Sequence, residues 1–281
     1  MKTGSFFTIG TTHEVCEDYA LHGENYVILS DGCSNGGGNR IHTDWGSRLL
    51  CKAAEQHLDL LPEDRQAFNN RCISTALTQV SSIPSLPNEC LTATLMVAVA
   101  KGDGVFIHMV GDGVFGAKFK DGSMSITEVS FESSAPYYLR YELNKQDREG
   151  YLAKFGNKAT RTTWGAWGDD NEAVGVTENV DITEFPYFGT SYNLEDVEFA
   201  FIASDGASSF YQPSITGTTK QNIKIHTLSV LELLLDFKNF GNGFVERQAH
   251  WTLKTNRPGS FGKLDWHNGD DISMGAIYCG D

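Results

Sequence analysis

The order of its hydrophobic segments constrains this chain more than any other feature. Short β-type runs dominate: Tyr26–Ser30, Thr92–Ala100, Val105–Val110, Val114–Lys120, Ser123–Val129, Val197–Ala203 and Ile272–Tyr278. Most are rich in Val, Ile, Phe and Tyr, and several alternate, as strands do. Two helical patterns follow one another after the first of them. In Ile41–Leu61, Ile41, Trp45, Leu49, Ala53 and Leu58 fall near one face. Pro62 suits the first turn of the next helix, where Phe68, Cys72, Ile73, Ala76, Leu77 and Val80 form an apolar stripe. A second helical pair is expected at Ile225–Phe237 and Phe244–Thr255. Runs of strands followed by pairs of helices point to antiparallel sheets covered by helices, not to an alternating parallel sheet. Residues 130–196 are aromatic and weakly periodic, and are expected to form an irregular surface insertion in a single domain spanning 1–281.

Composition narrows the function. With 281 residues, 40% of them hydrophobic, the chain can bury a large core without staples. It carries 36 acidic against 22 basic residues, a formal charge of -14, which argues against a nucleic-acid partner. None of the six cysteines forms a CxxC pair, so reduced thiols in a cytoplasmic protein are expected. The N-terminus has no apolar signal region, and no stretch approaches the ~18 apolar residues of a membrane span.

Asp-Gly occurs at residues 31, 103, 112, 121 and 205. Asp103-Gly104 and Asp121-Gly122 each join two consecutive strand patterns, and a hairpin turn explains them. The pairs at 31 and 205 differ. "YVILSDG" and "FAFIASDG" both run an apolar strand into Ser-Asp-Gly, and "VFIHMVGDG" ends a third such strand. Asp270 and Asp271 stand just before the last strand. Buried carboxylates brought together repel one another unless a cation or a proton intervenes. Hard divalent cations take such oxygen ligands, and glycine lets the backbone approach. The glycine-rich "GDGVFGAKFK" also fits GxGxxG, but a strand follows where a nucleotide site needs a helix.

Taken in order, "HEVCEDYA", "VILSDG", "HMVGDG", "FIASDG" and "GDDIS" resemble the metal-dependent type-2C, PPM-class serine/threonine protein phosphatases, over roughly Gly10 to Tyr278. The "GTTH…CED" opening looks most like the bacterial branch with His in place of the usual Arg. The resemblance implies an α+β fold, a four-layer αββα sandwich of two antiparallel sheets flanked by helical pairs. It implies two Mg²⁺ or Mn²⁺ ions, with Glu17 on one, Asp31 bridging both, the Gly32 carbonyl on the Glu17 side, and Asp205 and Asp270 on the other. Asp18 and Asp271 would support these ligands, and Asp112 matches a residue that helps hold a third ion in some members. Ser209 stands where a further Asp is common, which argues against that third ion. The implied reaction is hydrolysis of phosphoserine or phosphothreonine in a protein, with Asp31 and Asp205 at its centre. His13 takes the position of the phosphate-gripping Arg. Cys33 stands where some members place an acid His, so that role falls to His13 or His42. The alternative is a phosphatase-like binding module with little or no turnover.

Overall fold

The computed structural model describes residues 1–33, 42–165, 175–184, 186–216, 219–254 and 266–280. Two antiparallel sheets face each other. The seven-stranded one runs Lys2–Thr8, Ile272–Tyr278, Val197–Ala203, Gly113–Phe119, Met124–Phe131, Lys158–Trp164, Gly175–Asp181. The five-stranded one runs Phe188–Asn193, Gly104–Val110, Leu95–Lys101, Tyr26–Ser30, Tyr19–His22. A smaller sheet of three strands, Thr219–Lys224, Phe210–Thr216 and His267–Asn268, stands beside them.

Alternation along single strands generates the layers. Val27 and Leu29 point inward and pack with Met96, Phe115, Ala200, Ile202 and Ile277 between the sheets. Ile28, on the opposite face, meets Leu50, Ala54, Phe68, Cys72 and Ile73 from the helices Thr43–Glu55 and Arg65–Ser81. On the other sheet Phe199 and Phe201 face outward onto Leu228, Leu231, Phe244 and Val245 of the helices Thr227–Leu234 and Phe244–Lys254. Both faces of each central strand are therefore buried, and the order helix, sheet, sheet, helix follows. The architecture is the α+β, four-layer arrangement expected. No helix among the described residues is long and apolar enough to cross a membrane.

The helix ends differ from expectation in instructive ways. The second helix begins at Arg65, not at Pro62, because the Asp64 carboxylate caps it by accepting the Ala67 N–H at 2.8 Å. Trp45, assigned to the buried stripe of the first helix, is half exposed. That helix packs instead through Gly46, Ser47, Leu50, Cys51, Ala53 and Ala54. A Cβ on Gly46 would lie 1.7 Å from the Cys90 carbonyl, so the small face sits closer to its neighbour than a tryptophan face could.

The described part of residues 130–196 is largely regular. These residues form a helix, Lys145–Phe155, two strands that extend the large sheet, and the edge strand Phe188–Asn193 of the other. Their periodicity is weak because the extending strands are stabilised by polar cross-strand pairs: Thr127 with Thr163, Thr162 with Thr177, and Arg161 with Glu178. The aromatics Tyr137, Tyr141, Tyr151 and Phe155 pack on one another in tilted and edge-to-face pairs. Trp164 packs against the outer core, Tyr187 against His108, and Phe188 is buried. These residues anchor the segment; Trp167 lies outside the described residues.

Candidate active site

The Asp-Gly pairs separate as their flanks foretell. Asp103-Gly104 and Asp121-Gly122 turn between paired neighbours of one sheet. Asp31 ends a central strand of one sheet and Asp205 follows a central strand of the other, so facing the sheets brings the two carboxylates to the same end of the sandwich. Asp112 sits in the turn after Gly104–Val110, between Gly111 and Gly113, whose φ values of 101° and 135° only glycine adopts readily. Asp270 and Asp271 immediately precede Ile272–Tyr278, the strand between Lys2–Thr8 and Val197–Ala203.

A cleft of about 200 Å³ results. His13, Asp31, Gly32, Asp112, Asp205 and Asp270 line it, and Cys33, Ser134, Pro136 and Tyr138 complete the wall. Six residues singled out in the sequence thus meet in one place. Glu17 is the exception among the first ligands expected. It lines the adjoining pocket with His13 and His42, and its Oε1 accepts a hydrogen bond from the Thr43 hydroxyl at the start of the first helix. Its backbone carbonyl nonetheless lies beside Gly32. Of the two histidines, His13 faces the cleft and His42 only the neighbouring pocket.

Backbone hydrogen bonds hold the parts in register. Asp31 N–H donates to Thr94 Oγ1 at 3.0 Å, and Thr94 N–H donates to the Asp31 carbonyl at 2.8 Å. Ser30 Oγ donates to the Thr94 carbonyl at 2.5 Å. The matching serine of the second Ser-Asp-Gly does different work: Ser204 Oγ donates to Asp18 Oδ2 at 2.8 Å and accepts the Ser273 N–H at 2.9 Å. The buried Asp271 carboxylate accepts the Gly10 N–H at 2.7 Å and the Glu17 N–H at 2.5 Å, closing the loop that carries His13. His13 is bracketed, with Nε2 3.2 Å from Asp270 Oδ1 and Nδ1 3.1 Å, poorly aligned, from Asp271 Oδ2.

The electrostatics are those of crowded buried acids. Burial pushes the Asp31 carboxyl well above the usual range, and the charges of Asp18 and Asp205 push it further. Burial likewise raises Asp18 to about 7 and lifts Asp112 and Asp270, with Asp205 adding to each. For His13, burial disfavours the charged ring, but the close approach and charge of Asp271, then Asp270 and Glu17, outweigh it and the balance is upward. The nearby charges of Asp18 and Asp205 both disfavour the ionised form of Asp31. Asp18 Oδ1 is buried with no well-aligned partner.

This donor set fits a hard divalent cation: all oxygen, net negative, partly orphaned. As they stand, no three His, Cys, Asp or Glu side chains among the described residues are spaced to grip one ion. The carboxylates share one cleft, where a cation would offset their mutual repulsion.

Sequence reasoning missed Thr43, Thr94, Ser204 and Tyr138, and marked Ser209 only as standing where a further Asp is common. The repeated serine before Asp-Gly was a visible signal for Ser204; nothing local marks Thr43, Thr94 or Tyr138.

Comparison with known proteins shows a family likeness over part of the chain and a shared fold over nearly all of it. Residues 10–138 match the family model of protein phosphatase 2C. No curated protein sequence matches the chain. Among solved structures, the serine/threonine phosphatase Stp1 from Staphylococcus aureus aligns with 100% of this chain and 95% of its own, at 12% identity and a TM-score of 0.52. The Mycobacterium tuberculosis phosphatase PstP/Ppp aligns with 98% and 96%, at 14% identity and 0.51. A PstP catalytic domain in complex with two manganese ions aligns over 98% and 96%, at 13% identity and 0.47. Residues 10–138 are thus similar to protein phosphatase 2C, and the chain shares the fold of the serine/threonine phosphatases Stp1 and PstP/Ppp.

Proposed function

We propose that this protein is a metal-dependent phosphomonoester hydrolase acting on phosphoserine or phosphothreonine in proteins. The observation that carries this reading is the convergence of Asp31, Asp112, Asp205 and Asp270 with His13 in one cleft at the end of the sandwich. Asp31, the Gly32 carbonyl and Glu17 would hold one Mg²⁺ or Mn²⁺; Asp31, Asp205 and Asp270 would hold the other. Bound there, the cations supply a water acidic enough to attack phosphorus at neutral pH and a clamp for the phosphoryl oxygens.

The chain's own residues do the rest. Asp18, held by Ser204, backs Asp31. Asp271 fixes the loop that presents His13. His13 faces the cleft, where its ring contacts the phosphate or gives a proton to the departing serine or threonine oxygen; it lacks the two-pronged grip of a guanidinium. Asp112, in the same wall, is the residue for any third ion. The six cysteines are unpaired, which fits a reducing, cytoplasmic setting.

The test is phosphate release from phosphoserine and phosphothreonine peptides with Mn²⁺ or Mg²⁺ and with chelator, for wild type and Asp205→Asn. Metal-dependent release that disappears in the variant is expected. Release from small phosphoesters alone would move the substrate away from proteins. No release from any ester, with metal bound, would leave a phosphate-sensing module instead.

A further inference from the structure

Two ligand-bearing segments of the cleft come from distant parts of the chain. Asp205 opens a short 3₁₀ turn, Asp205–Ser208, and Asp270 precedes the last strand. One side chain joins them. Ser209 Oγ donates to the Gly206 carbonyl at 2.7 Å and accepts the Asp270 N–H at 3.1 Å. The backbone adds two more ties at the same residue: Ser209 N–H donates to the Gly206 carbonyl at 3.1 Å, and the Ser209 carbonyl accepts the Gly269 N–H at 3.2 Å. Asp270 Oδ1 in turn accepts the Asp271 N–H at 2.8 Å, so the carboxylate's direction follows its own backbone.

We propose that Ser209 is a positioning residue, its hydroxyl setting the separation of the Asp205 and Asp270 carboxylates and so the metal affinity of that half of the cleft. The inference rests on the phosphatase reading of the site. A hydroxyl is suited to the task because it gives one hydrogen bond and receives another along a single short side chain. A methyl can do neither. A carboxylate could receive the Asp270 N–H but could not donate to Gly206, and it would add charge beside three acids already crowded together. Threonine keeps the hydroxyl and both bonds.

The experiment compares wild type, Ser209→Ala and Ser209→Thr. Mn²⁺ binding is measured by calorimetry and by the electron-spin signal of free Mn²⁺, with melting curves in chelator to follow the fold. Ser209→Ala should weaken Mn²⁺ binding about ten-fold, in line with losses of supporting hydrogen bonds around metal ligands, while Ser209→Thr stays within about two-fold of wild type. Phosphate release by Ser209→Ala should fall at limiting Mn²⁺ and recover at saturating Mn²⁺. Unchanged Mn²⁺ affinity in Ser209→Ala overturns the proposal. So does an equal loss in Ser209→Thr, or a drop in melting temperature that accounts for all of the lost binding. If wild type binds no Mn²⁺, the phosphatase reading falls and this one falls with it; if wild type binds and the variants match it, only this one falls.

Discussion

Gly206 offers the most demanding test of how the cleft is built. It follows Asp205 in the turn after a central strand, and it is buried. A Cβ placed on it would lie 1.8 Å from the Asp271 carbonyl oxygen. Ordinary contact begins near 3.4 Å, so Gly206→Ala must push that carbonyl away by 3.4 − 1.8 = 1.6 Å. The displaced residue is the one whose carboxylate holds the Gly10 and Glu17 N–H groups. Overpacking of this kind costs about 1–3 kcal/mol, and a weakened hydrogen bond to a charged group about 1.5–3 kcal/mol more. A loss of about 3 kcal/mol is therefore expected. For a chain near this size that lowers the melting temperature by roughly 6–12 °C. Because Asp270 moves with Asp271, Mn²⁺ binding should weaken at least about ten-fold. Melting curves in chelator and calorimetric titration with Mn²⁺ measure the two effects separately. A variant with wild-type melting temperature and wild-type Mn²⁺ affinity would refute the close packing of turn on loop, and with it the account of why glycine follows this aspartate.

Gly150 is the matched control: it lies in the helix Lys145–Phe155 with open space where a methyl would stand, so Gly150→Ala should raise stability by about 0.5–1 kcal/mol in denaturant titration. Asp205→Asn should abolish metal-dependent phosphate release while circular dichroism remains that of wild type. His108 supplies a pH dependence remote from the cleft. Burial, then the charge of Arg65, lowers its pKa from 6.5 to about 3, while the unfolded chain titrates near 6.5. The neutral ring's contribution is thus full above pH 6.5 and is lost as pH falls toward 3, at about 1.4 kcal/mol per pH unit. His108→Gln should flatten that loss relative to wild type between pH 7.5 and 5.5; parallel stability curves would count against it.

Much of the fold was legible because apolar strands announce themselves. "YVILS" and "FAFIA" are apolar on both faces, which only a strand between two buried layers requires, and the two helical pairs fixed which layers those were. The N-terminal strand Lys2–Thr8 and the strands Lys158–Trp164 and Gly175–Asp181 were missed for the opposite reason. They lie at or near the sheet's edges, and in the latter two threonine pairs and an ion pair take the place of apolar alternation. The hairpin Phe210–Thr216 and Thr219–Lys224 contains Pro213 and a run of polar residues, so no periodicity marks it.

The site divides along a similar line. Its acids could be found because chemistry restricts them: a carboxylate at the end of a buried strand demands a partner, and several in one chain suggest a shared one. The residues that aim those acids obey no such restriction. Ser204, Ser209 and Thr94 act through single hydroxyls on groups far away in sequence, and any serine or threonine looks the same until the chain is folded. Glu17 shows the converse. Its motif places it among the ligands, yet its side chain turns to the Thr43 hydroxyl while its backbone N–H stays clamped by Asp271. With the backbone fixed, only side-chain torsions separate that orientation from one facing Gly32. For Glu17 to hold a cation its side chain would have to give up the Thr43 hydroxyl, whereas Asp31 and Asp205 already line one cleft. The fold thus brings Asp31, Asp205 and Asp270 to one cleft without the Glu17 side chain.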